Sequence, residues 1–100
     1  TEKYAPAAAQ AIAEAKQASD NKLSWQQQKE EQARLRKLEN EVKKIEAEIE
    51  KLENENEELT ELLQTDEVST NSVKLQEISS KIEKNTNRLE ELMERWESIQ

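Results

Sequence analysis

The side chains in this sequence that could do chemistry are carboxylates and amines, because its 100 residues contain no Cys and no His. Disulfides, zinc centres of the usual ligand set, thiol nucleophiles and imidazole bases are thereby excluded, and no catalytic residues are expected. The reactive groups fall into two zones. Glu53, Glu55, Glu57, Glu58, Glu61, Asp66 and Glu67 place seven acidic groups and no basic one between residues 52 and 68. Their spacing matches no calcium-binding loop, so a metal site is not expected and a solubilising face is the plain reading. If this zone meets a partner, basic protein tails suit it better than RNA. Arg34, Arg36, Lys37, Lys43 and Lys44, with Lys22 and Lys29 upstream, form a cationic zone suited to phosphates of RNA or DNA. The competing reading is a solvated helix face, where Glu39 and Glu41 interleave and i,i+4 pairs such as Glu39 with Lys43 quench the field. The formal charge of −8 means that any polyanion binding works against the chain's own charge and weakens with salt.

Helices must position both zones. With 33% hydrophobic residues, 38% charged, no Gly and no Phe, the chain cannot fill a broad core. Leu, Ile and Ala dominate the apolar set, and Glu, Lys, Gln and Asn supply much of the rest, so a narrow helical seam is what remains. No run of about 20 apolar residues exists, and the head carries Glu2, Lys3 and Glu14 instead of a basic start and apolar core. Neither a membrane span nor a signal peptide is expected, which points to a soluble protein. Thr1 at the start, with Met93 the sole methionine, suggests a piece of a longer chain.

Residues 1–21 are rich in Ala, with one Pro and with Ile12 as the lone apolar anchor, and read as a linker; a docked helix is the alternative. Residues 22–100 read as a coiled coil. Ser24-x-x-Gln27 is a capping box, which predicts a helix over about 24–64. Leu35, Leu38, Val42, Ile45, Ile49, Leu52, Asn56, Leu59 and Leu63 follow strict 3,4 spacing, the a and d positions of heptads. Leu75, Ile78, Ile82, Asn85, Leu89, Leu92, Trp96 and Ile99 form a second seam in a helix over about 72–99, capped by Asn71. The a positions Leu63 and Leu75 are not separated by a multiple of seven, and turn-forming residues fill 65–71, so the chain folds back there.

The expected fold is therefore all-α, an antiparallel two-helix coiled-coil hairpin. Pairing residues whose numbers sum to 141 sets a against d throughout and brings Asn56 to Asn85, so that two core amides bond each other. Sliding by a heptad leaves both amides facing apolar residues, at about 1–3 kcal/mol each. In this register the first helix overhangs the second and leaves Trp25 without a partner. A short helical hook at the N-terminal base would let Leu23 and Trp25 cover the open end near Leu38, Trp96 and Ile99; an exposed aromatic contact for another domain is the alternative. A monomer is favoured over a helix-swapped dimer, which would preserve the same contacts.

Lys22-Leu23-Ser24-Trp25 with Lys29-Glu30, then "RKLENEVKKIEAEIEKLE", "LLQTDEVSTNSVKLQEISSKI" and "LEELMERWESIQ", resembles the C-terminal coiled-coil domain of ABC-F proteins, including the Uup type. The likeness covers residues 22–100 and departs at the turn, where Ser and Asn replace the usual Pro and aromatic residue. It implies a parent with two ATP-binding cassettes, using ATP and Mg, that acts on the ribosome or on nucleic acid, and it makes residues 1–21 the tether from the second cassette. No cofactor is expected in this chain, because a phosphate loop G-x-x-x-x-G-K-S/T requires the glycine it lacks. The implied function is a non-catalytic accessory arm, with rRNA or DNA contacted through the basic base. A structural spacer or oligomerisation coiled coil is the alternative.

Overall fold

The computed structural model describes residues 5–100, with side chains from residue 9. Three helices follow in order: α1 (Ala5–Leu63), α2 (Asp66–Ser69) and α3 (Ser72–Ile99). The chain divides into two compact units, residues 1–37 and residues 38–100.

The first unit is the N-terminal part of α1. Pro6 falls in the first turn, where its missing N–H has no helical partner to lose. Beyond it lie Ala, Glu, Gln and Lys, strong helix formers with no Gly or further Pro to interrupt them. Residues 1–4 of the expected linker lie outside the described residues, and residues 5–21 are helical. Helix initiation at Ser24 is therefore corrected: the capping box requires the preceding residues to leave the helix, and the alanine-rich run does not leave it. The hook is corrected on the same ground, since residues 22–31 continue α1. Every described side chain from residue 9 to 37 is exposed.

The second unit is the hairpin, made by α1 from Leu38 onward, α2 and α3. Its a and d residues, Leu75 excepted, are withdrawn from solvent. Ile45, Leu59 and Leu92 are buried, while Val42, Ile49, Leu52, Leu63, Ile78, Ile82, Leu89, Trp96 and Ile99 are half-buried. Two helices alone cannot enclose their seam fully, which is why the core is a line of part-covered side chains. The reversal is more ordered than a loop. Leu62 and Thr65 close the end of α1, with Thr65 N donating to Leu62 O at 3.1 Å and its hydroxyl to the same oxygen at 2.7 Å. The four-residue α2 then packs on α3 and buries Val68. Asn71 opens α3 by accepting from the backbone N–H groups of Val73 and Lys74, both at 3.1 Å, which satisfies two otherwise orphaned donors. Lys74 Nζ pairs with Glu67 at 2.6 Å and ties α3 to α2.

Candidate functional site

The seam carries one polar layer. Asn85 Nδ2 donates to Asn56 Oδ1 at 3.0 Å and to Glu55 Oε1 at 3.2 Å, at the layer where residue numbers sum to 141. Asn56 Nδ2 in turn reaches Thr86 Oγ1 at 3.5 Å. Among the described residues no buried side-chain polar atom lacks a partner, so the layer specifies pairing without leaving a desolvated amide.

On one flank of the seam, the g positions of the two helices meet as ion pairs. Arg95 donates to both carboxylate oxygens of Glu41, with Nη2 to Oε2 at 2.9 Å, and Arg88 grips Glu48 at 3.0 and 3.3 Å. These forked contacts are stronger than lysine pairs of similar exposure. Hydrogen bonding from Arg95 holds the Glu41 carboxyl below its ordinary value, and Lys74 does the same to Glu67. A native value below the unfolded one contributes stability that is fully present above the ordinary carboxylate range and lost as pH falls through the lower native value. The difference in thermal midpoint between the unaltered chain and Glu41→Gln is therefore expected at neutral pH and should close on acidification. A difference independent of pH would assign the loss to something other than the charge.

The opposite flank is built differently. Ile49, Met93 and Trp96 floor a groove of about 450 Å³ rimmed by Glu46, Glu50, Glu53 and Glu97. Trp96 Nε1 donates to Glu46 Oε1 at 3.1 Å, which ties the indole to the rim of this groove. Numbering heptads through the hairpin, the b and e positions hold Glu39, Glu46, Glu50, Glu53, Glu57, Glu83, Glu90 and Glu97 against one cation, Lys43. The c and g positions hold Lys44, Lys51, Lys74, Lys81, Lys84, Arg88 and Arg95 against six carboxylates. The hairpin is thus acidic on the groove side and close to neutral on the ion-paired side. Among the described residues no cluster of acidic groups is placed to hold a metal ion.

The cationic residues singled out in the sequence are split between the units: Lys22, Lys29, Arg34, Arg36 and Lys37 in the first, Lys43 and Lys44 in the second. Arg34 is engaged by Glu31 at 2.6 Å, and that hydrogen bond holds the Glu31 carboxyl below its ordinary value. Lys29 Nζ sits 5.0 Å from the centre of the Trp25 ring, a cation–π contact. Lys22, Arg36, Lys37, Lys43 and Lys44 make no ion pair among the described residues, so the Glu39–Lys43 pair considered from the sequence is not formed. Leu23 and Trp25 are 54% and 60% exposed. The g-position ion pairs and the groove went unread in the sequence. The pairing register itself would have revealed the first, since Glu41, Glu48 and Glu55 face Arg95, Arg88 and Lys81 once it is fixed.

A polar-registered antiparallel hairpin with charged faces defines a class, the two-helix coiled-coil domain. The family model of the ABC transporter C-terminal domain matches residues 22–100, and the chain belongs to that family. It is the C-terminal coiled-coil domain of an ABC-F type ATPase, the kind found in Uup, which carries its own ATP-binding cassettes. No curated protein and no solved structure matches the chain. No helix among the described residues is long and apolar enough to cross a membrane.

Proposed function

We propose that this domain is a non-catalytic arm with which a cytoplasmic ABC-F ATPase touches the ribosome or nucleic acid, and that phosphates of rRNA or DNA are met by the cations of its base. The observation that supports this reading is the state of those cations. Lys22, Arg36, Lys37, Lys43 and Lys44 lack carboxylate partners among the described residues, whereas Arg88 and Arg95 are committed to the hairpin. Charge distribution points the same way. Residues 1–37 hold seven cations against five carboxylates, and residues 38–100 hold eight against eighteen, so attraction for a polyanion is strongest at the base and its immediate continuation.

Binding of duplex DNA and of a structured RNA, measured across a salt series, tests this. The expected result is binding at low salt whose logarithmic salt slope shrinks by about 0.9 per lost phosphate contact on duplex DNA when Arg36, Lys37 and Lys44 are changed to Glu. Absence of binding at low salt, or an unaltered slope in the variant, would remove nucleic acid as the partner. The groove over Trp96 supports a second, protein-binding role.

A further inference from the structure

We propose that the acidic groove over Ile49, Met93 and Trp96 seats the basic segment Lys22–Arg36 of a second copy of this chain, joining two intact hairpins without exchange of helices. This inference does not rest on the nucleic-acid reading. The groove has the two parts of a docking site: an apolar floor on which Met93 is 43% exposed, and a rim of Glu46, Glu50, Glu53 and Glu97. Its occupant must therefore present an apolar group between cations, on a surface regular enough to match a helix.

Residues 22–36 have that composition. Leu23, Trp25 and Leu35 are 54%, 60% and 47% exposed, and Lys22, Lys29 and Arg36 share a helical stripe with Trp25. The spacing also fits. From Lys22 to Trp25 to Lys29 the steps are three and four residues, and from Glu53 back to Glu50 to Glu46 they are again three and four. Laid antiparallel on the groove, the segment sets Lys22 opposite Glu53 and Lys29 opposite Glu46. In this register Trp25 stands opposite Glu50, and its ring reaches past that carboxylate toward Ile49, Met93 and Trp96. Burial of an indole with two flanking charge pairs is the composition of an interface centre with a polar rim. The aromatic cover that the sequence suggested for the base is supplied, on this view, by the neighbouring copy.

Sedimentation equilibrium of the 100-residue chain over a wide concentration range provides the test. At low salt the mass is expected to rise from 11.6 kDa toward twice that value with concentration, and to fall back as salt is added. Two charge-reversed chains make the assignment: Glu46→Lys/Glu53→Lys, with a basic groove and a basic segment, and Lys22→Glu/Lys29→Glu, with an acidic groove and an acidic segment. Each alone should associate more weakly by about tenfold or more, since like charges then face each other. Mixed, they should form a heterodimer in which both contacts are complementary again. All reversed positions are exposed, and unchanged helical circular dichroism checks that folding survives. An unaltered chain that stays at 11.6 kDa throughout, a dimer that survives either reversal as exchanged helices would, or a mixture that remains monomeric would each overturn the proposal.

Discussion

Replacing Leu92 by alanine is expected to lower the stability of the hairpin by about 2–5 kcal/mol, the largest loss available from one side chain in the unit. Leu92 is 4% exposed, lower than any other described residue of the core, and it lies opposite Ile49 in the paired seam. Two helices offer few atoms to collapse into the vacated space, so the cavity persists. A domain with so narrow a core has little reserve against a loss of that size. Urea denaturation should show the midpoint falling with the slope unchanged. Leu75→Ala supplies the contrast, because Leu75 is 38% exposed and already partly in water. Equal losses at both positions would mean that the seam is not packed as described.

The second large effect comes from the amide layer. Asn85→Leu alone deprives Asn56 of its partner and sets an amide against an apolar side chain, which should cost about 1–3 kcal/mol. Changing Asn56 and Asn85 to Leu together removes the unpaired group and should be near neutral or stabilising, so the two single losses will not add. The distance between spin labels at Glu57 and Lys84 is expected to stay single in the double variant, because buried Val68 and the Asn71 cap fix the turn independently of the amides. Additive losses would show that the amides do not act as a pair. A second, longer label distance, from the axial offset of about 10 Å that a one-heptad slide imposes on these facing positions, would show that they alone hold the register.

Much of the hairpin is legible in the order of its amino acids, for a physical reason. Period and phase are properties of the sequence itself: Leu and Ile at 3,4 spacing announce the seam, and the break between Leu63 and Leu75 announces the reversal. Asn56 and Asn85 stand out because a polar side chain in an apolar stripe needs a partner of its own kind. Signals that depend on neighbours are less readable. Ser24 and Gln27 have the chemistry of a cap, but a cap forms only where the chain changes direction, and the residues before Ser24 favour going straight on. Val68 is a single apolar residue among Asp, Glu, Ser and Thr, with no periodicity to mark it as buried. The groove could not be seen along one helix, since Ile49 and Glu46 come from α1 while Met93, Trp96 and Glu97 come from α3.

The unequal flanks of the hairpin also fix how it can lie against anything charged. A plain two-helix rod could settle on a phosphate-rich surface at any roll about its long axis. Here one side is a keel of glutamates that such a surface pushes away, and the other, with its arginines already clasped to Glu41 and Glu48, leaves lysines such as Lys44, Lys51 and Lys84 to face it. The arm therefore has an upper and a lower side, and a neighbour in the groove would be held away from any phosphate-rich surface that the lysine side met.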